Sequence, residues 1–213
     1  MYKIDLIIFD LDGTLVDSVN DIINSVNFTL KELGLDEKTP EEIKKYIGIS
    51  IEDLLIQATE REDLYKRTHL IFKEHFTEHS LDTTVLYPGV KDMLRSFKDK
   101  TKVIVTNRKS YSADWILDVL GIKDFFVNVL GSDDVRYTKP HSCPIDKTLE
   151  KFGIKNKEKA IMVGDMTVDV EAGKAAGVLT CAVTYGIGAK EDIIKSDPDF
   201  VIDGIEELKR III

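Results

Sequence analysis

LIIFDLDGT, residues 6–14, joins an apolar run to two carboxylates one residue apart and then a glycine. A continuous apolar run of this length, without polar alternation, reads as a strand buried on both faces, the pattern of a parallel sheet covered by helices. Similar runs recur at Lys102 to Thr106, Phe125 to Leu130, Ala160 to Val163, Leu179 to Val183 and Phe200 to Ile202. From Lys102 onward, helical stretches separate them, at Ser112 to Leu120, Pro144 to Phe152, Val168 to Ala176 and Ile205 to Arg210. This rhythm predicts an α/β fold: a doubly wound, mostly parallel sheet with helices on both faces. Such sheets bind ligands at the carboxyl ends of their strands, so the residues just after each run are the ones to read for chemistry.

Between the first run and the second lies a stretch of different character, residues 16–86. Ile22, Val26, Leu30 and Leu33 form one helical stripe that opens near Asp17 or Ser18 and stops at Gly34. Thr39-Pro40-Glu41-Glu42 supplies an N-cap, a proline at the first helical position and a capping-box glutamate, opening a second helix. Ser50 with Asp53 opens a third in the same way, and a fourth covers Glu62 to His75. Tyr87-Pro88-Gly89 marks the return. The expected organisation is therefore a core of residues 1–15 and 87–213 with a helical lid, residues 16–86, inserted after the first strand.

With 38 acidic against 29 basic residues and a formal charge of -9, the average field repels polyanions, which argues against a nucleic-acid partner. Any anionic ligand has to be held by local chemistry instead. Cys143 and Cys181 lie far apart and make no metal-type spacing, which reads as packing in a reducing, cytoplasmic setting. The first residues lack the apolar length and small-residue cleavage pattern of a signal peptide, and no segment suggests a membrane span. The closing Ile211-Ile212-Ile213 reads as a docked tail. Monomer and homodimer are equally compatible with the sequence.

Four polar clusters follow the predicted strands. Asp10 and Asp12 leave the first on a chain that Gly13 lets bend sharply. Like charges this close raise the free energy of the ionised pair unless a cation lies between them or one acid keeps its proton; the plainer reading is a solvated turn. Thr106-Asn107-Arg108 offers a hydroxyl, an amide and backbone N–H groups suited to phosphate oxygens, or simply a helix cap. In Thr138-Lys139-Pro140 the proline holds Lys139 extended, so that its ammonium can point to the sheet end rather than lie solvated on a loop. Asp165 ends the fourth run and Asp169 follows one helical turn later, as site acids or as capping residues. Each cluster alone is modest, but all of them fall at one edge of the predicted sheet. Together they supply oxygen ligands for a hard cation such as Mg²⁺ and a lysine to neutralise phosphoryl oxygens.

DLDGTLVDS at 10–18, VIVTN at 103–107, TKP at 138–140 and VGDMTVDV at 163–170 occur in the order and at the separations of the haloacid dehalogenase superfamily. The sequence closely resembles the phosphoglycolate-phosphatase-like branch of it, from Phe9 to at least Gly177. The resemblance implies a Rossmann-like core with a helical cap, and a Mg²⁺-dependent phosphatase acting on a small phosphorylated metabolite through an aspartyl-phosphate. It implies Asp10 as nucleophile, Asp12 as acid and base, and Thr106, Asn107 and Lys139 as phosphate-binding groups. Around the metal it implies Asp10, the backbone carbonyl of Asp12 and Asp165, with Asp169 orienting a bound water or Lys139. Gly48, in Ile47-Gly48-Ile49-Ser50, resembles the glycine loop with which such caps reach the site. Met166 stands where the family often has serine.

The rival readings are a β-phosphoglucomutase-like sugar phosphomutase, a pyrophosphatase, and a non-catalytic phosphate binder or receiver-like module. The mutases use a histidine early in the cap with basic neighbours, and Leu15 to Leu30 contains no His, Lys or Arg. Receiver modules carry their acceptor aspartate after a later strand and have no cap. Within the insertion, His69, His75 and His79 do not form a tidy ligand set, and the histidines lack an evident acidic partner.

Overall fold

The computed structural model describes residues 1–213. In chain order its elements are β1 (Leu6–Phe9), β2 (Val16–Asp17), α1 (Val19–Glu32), α2 (Pro40–Lys44), α3 (Ile51–Thr59), α4 (Tyr65–His79), β3 (Val85–Leu86), α5 (Val90–Ser96) and β4 (Thr101–Val105). There follow α6 (Ser110–Val119), β5 (Asn128–Leu130), α7 (Cys143–Lys151), β6 (Ala160–Gly164), α8 (Thr167–Ala176), β7 (Leu179–Val183), α9 (Lys190–Lys195), β8 (Phe200–Ile202) and α10 (Leu208–Ile211). Six strands make one sheet in the order β5-β4-β1-β6-β7-β8, with every pairing parallel.

The four residues of β1 explain why this sheet has two covered faces. Side chains alternate across a strand, and here both sets are fully buried. Ile7 and Phe9 enter the larger apolar cluster, with Met93, Ile116, Ile161 and Val183, whereas Leu6 and Ile8 enter the second, with Val103, Ile145, Leu149 and Met162. In register, Phe9 lies opposite both Ile104 of β4 and Val163 of β6. The three central strands therefore finish level, and the polar residues that follow them emerge at one edge.

Helices α1 to α4 build a separate apolar cluster that includes Ile22, Val26, Leu30, Ile43, Leu55 and Phe72. Their starts follow the sequence signals. Thr39 and Glu42 form the reciprocal capping box of α2, and the Ser50 hydroxyl accepts from the Asp53 N–H at 3.1 Å to open α3. Ser18 precedes α1 but makes no capping bond; its hydroxyl donates to Asp12. Two crossings tie this helical unit to the sheet, and β2 pairs with β3 antiparallel where they run side by side. Beside them the buried Asp21 carboxylate accepts from the N–H and hydroxyl groups of both Thr83 and Thr84.

Some local expectations are corrected. The run Phe125 to Leu130 is strand only from Asn128, because Lys123–Phe125 turns as a 3-10 helix before this short edge strand. Ile205 to Arg210 likewise opens as a 3-10 turn, drawn in by Glu207, whose carboxylate accepts from the N–H groups of Asp203 and Gly204. The fourth helix begins with a 3-10 turn at Glu62–Leu64 and extends to His79, where Asp82 lies 2.8 Å from the imidazole as an acidic partner the sequence did not reveal. The tail is docked as expected: Ile212 is buried and the Ile213 N–H donates to the Tyr2 carbonyl. Both cysteines are free, Cys181 inside the larger cluster and Cys143 half-buried. No helix is long and apolar enough to cross a membrane.

Burial on both faces makes β1 a sensitive point. Ile7→Ala is expected to lower unfolding free energy by about 2–5 kcal/mol, as for other large-to-small changes in close-packed cores. Urea titration followed by circular dichroism checks this, and a loss below about 1 kcal/mol would contradict the double burial.

Candidate active site

Beyond Phe9, β1 continues by one residue, the Asp10 N–H donating to Val163 at 2.9 Å. The chain then coils tightly, with Leu15 and Val16 both donating to the Leu11 carbonyl and Gly13 to that of Val16. Gly13 is needed here for two reasons. Its φ of +83° disfavours other residues, and a Cβ would stand 2.2 Å from an Asp165 carboxylate oxygen. The same coil delivers the Thr14 hydroxyl to Asp165 at 2.8 Å. The other Asp165 oxygen accepts from the Ile187 N–H, also at 2.8 Å.

Lys139 reaches this edge from the loop after β5. The bond between it and Pro140 is cis, and the ammonium lies 2.8 Å from Asp10 and 2.6 Å from Asp169, with all three groups buried. Asp169 sits on the first turn of α8, and its second oxygen accepts from the Met166 N–H. Asp10, Asp165 and Asp169 present carboxylate oxygens within 4.8 Å of one another. Three carboxylates face a single ammonium, which leaves a local excess of negative charge away from water. That donor set, all oxygen and anionic, suits a hard divalent cation.

The electrostatics carry the same message. Burial, then the charge of Asp169, raises Asp165 to about 7 against the bonds from Ile187 and Thr14. Burial also drives Asp10 upward, helped by Asp169 and Asp165 and opposed by Lys139. Lys139 loses some basicity to burial, but Asp10 and Asp169 more than restore it, so it stays charged.

Asp12 has a different partner. Burial pushes it up, but the Arg108 guanidinium overrides this and, with Ser18, leaves Asp12 below the usual carboxylate range. The contact is bidentate, at 2.9 Å and 2.5 Å. Arg108 also lies over the Phe76 ring of α4, 4.9 Å from its centroid. From the sequence, residues 106–108 offer a hydroxyl, an amide and N–H groups, whereas the role of the Arg108 side chain emerges only in the fold. Its signal was a cation directly after a strand that ends beside two acids.

Asn107 and Gly48 meet each other. The Asn107 amide nitrogen donates to the Gly48 carbonyl at 2.8 Å and to the Lys139 carbonyl at 2.9 Å, and its oxygen accepts from the Lys139 N–H. Its amide is thus engaged with the chain on both ends. Gly48 has φ +98°, and a Cβ there would lie 2.1 Å from the Met166 sulfur. Met166 is therefore packing floor for the loop that carries Gly48. The Thr106 hydroxyl accepts from the Arg108 N–H at 3.1 Å and lines the same cavity as Asp10, Asp12 and Asn107.

Residues 7–183 match the family model described as haloacid dehalogenase-like hydrolase. The chain belongs to that family. It is 35% identical to the phosphoglycolate phosphatase of Aquifex aeolicus, over 97% of this chain and 95% of that one. With the protein of the same name from Nitrosococcus oceani the identity is 33%, covering 98% and 96%. The crystal structure of a predicted phosphoglycolate phosphatase from Haemophilus somnus superposes with a TM-score of 0.94 at 30% identity, covering 99% of each chain. This haloacid dehalogenase-like hydrolase is a phosphatase, a phosphoric monoester hydrolase.

The raised Asp165 gives a stability test. A carboxyl whose folded pKa exceeds its unfolded value of about 3.9 contributes stability that is present below that value and lost as pH rises through the folded pKa, here between about pH 4 and pH 7. Asp165→Asn keeps an acceptor for Ile187 and a partner for Thr14 without the charge. Without divalent cations it is expected to melt above the wild type at pH 7, with the gap closing towards pH 4. A variant less stable at pH 7 by scanning fluorimetry would refute the charge-excess account.

Proposed function

We propose that the protein hydrolyses a small phosphomonoester through an aspartyl-phosphate on Asp10, with Mg²⁺ as cofactor. The observation that carries this reading is the position of Asp10, buried at the cavity wall against Lys139, with Asp12 at the same wall. An Asp10 oxygen forms a bond to phosphorus as the ester P–O bond breaks, and Asp12 gives its proton to the departing alkoxide. Asp12 then takes a proton from water whose oxygen attacks phosphorus, breaking the aspartyl P–O bond and releasing inorganic phosphate. Lys139 and the Thr106 hydroxyl hold the transferring phosphoryl group, and Asn107 keeps Lys139 in place through both of its backbone polar groups.

Asp10, Asp165 and the Asp12 backbone carbonyl would hold Mg²⁺, whose charge favours ionised Asp10 and offsets that of the phosphoryl oxygens. Asp169 serves Lys139, to which it is bonded at 2.6 Å. Asp12 starts ionised beside Arg108, and a phosphoryl dianion arriving next to it favours its protonated form. Residues 16–86 act as the cap over the remainder, residues 1–15 and 87–213, with Gly48 as a point of contact between them. The similarity to phosphoglycolate phosphatases makes 2-phosphoglycolate the first substrate to assay. A cytoplasmic setting agrees with the two free cysteines.

Phosphate release in the presence of Mg²⁺ is expected to fall to the uncatalysed level in Asp10→Asn, while its melting temperature stays at or above that of the wild type. EDTA should abolish activity and Mg²⁺ restore it. Full turnover by Asp10→Asn would end the covalent mechanism.

A further inference from the structure

The cavity that contains Asp10 and Asp12 has a volume of about 410 Å³. It is partly open to solvent, with the helical unit in contact at its rim. Gly48 accepts from Asn107, Glu52 lies 3.3 Å from Lys109, and Phe76 underlies Arg108, so the helical unit is seated on the sheet edge. The space that remains is lined on the cap side by Phe72 and Phe76, whose rings stack 5.2 Å apart, and by Leu54. Tyr111 and Trp115 of α6 line the opposite side, 58% and 54% exposed although both are large apolar residues.

A two-carbon acid with its phosphoryl group occupies on the order of 100 Å³, judged against the ~30 Å³ share of one liquid water. It would leave most of this cavity to water lying on aromatic and aliphatic surface. Its carboxylate would find Arg108 engaged by Asp12 and Lys109 by Glu52, which leaves it a solvent-exposed lysine rather than a buried partner. Lys73 at the wall is exposed and makes no ion pair. A flat apolar group fits better: it displaces that water, packs on the apolar cap wall at Leu54, Phe72 and Phe76, and meets the exposed rings of Tyr111 and Trp115 opposite.

Building on the phosphatase reading above, we propose that the preferred substrates are phosphomonoesters whose leaving group carries an apolar ring, stacked on Tyr111 and Trp115 and packed against the apolar cap wall formed by Leu54, Phe72 and Phe76. The phosphoryl chemistry is unchanged, and the ring sets which esters are turned over fastest.

Benzyl and ethyl phosphate release alkoxides of similar basicity and differ in the ring, so their ratio reports recognition rather than intrinsic reactivity. With Mg²⁺ present and Asp10→Asn as the blank, kcat/KM for benzyl phosphate is expected to exceed those for ethyl phosphate and 2-phosphoglycolate by about tenfold or more. Trp115→Ala, at an exposed position, is expected to reduce the benzyl-to-ethyl ratio by about threefold or more. Turnover of ethyl phosphate or 2-phosphoglycolate equal to or above that of benzyl phosphate overturns the substrate class and leaves the phosphatase reading intact. A ratio unmoved by both Trp115→Ala and Tyr111→Ala also overturns it. No release above the blank from any of the three esters overturns the phosphatase reading, and the substrate class with it.

Discussion

The ammonium of Lys139, buried between Asp10 and Asp169, is the contact on which the site depends. Three carboxylates brought this close out of water would repel one another strongly, and removing the one internal cation would leave them uncompensated. Much of the surrounding chain serves this arrangement. The coil after β1 brings Thr14 to Asp165, the first turn of α8 aims Asp169 at the lysine, and Asn107 clamps the lysine backbone from both directions. The level ends of β1, β4 and β6 make the meeting possible, since a shift of one residue in any pairing would send its polar group to another height.

Two kinds of cohesion are at work. The sheet and its flanking helices are held by apolar burial on both faces of β1, and the four helices of the insertion by a cluster of their own. Where the two units meet, polar contacts are prominent: an amide to a carbonyl, a lysine near a glutamate, an arginine over a ring. Polar contacts of this kind contribute less than buried apolar area, because water competes for each partner. The cavity lies at that boundary.

Much of the architecture was legible because buried parallel strands have a plain signature, an unbroken apolar run followed by a polar turn, as at Leu6–Phe9 and Ala160–Gly164. The acids and the lysine could be read because each directly follows such a run or its loop. Other features left no local trace. The two-residue strands β2 and β3 are too short for any period, and the six-residue α9 too short for a stripe. Arg108 acts through its reach to Asp12, 96 positions away, and only the fold sets that distance. Ser18 looked like a helix cap because serine before a helix commonly is one, yet its hydroxyl turns to Asp12.

One amide nitrogen, that of Asn107, bonds both the Gly48 carbonyl and the Lys139 carbonyl. Gly48 belongs to the helical unit and Lys139 to the carboxylate-lined sheet edge, so the asparagine is a mechanical interlock between them. Were the helical unit to move away from the sheet edge, the amide would lose its Gly48 bond and keep only the bonds to the Lys139 backbone. On the proposed mechanism, one side chain would then couple the seating of the helical unit to the posture of the lysine that meets the phosphoryl group.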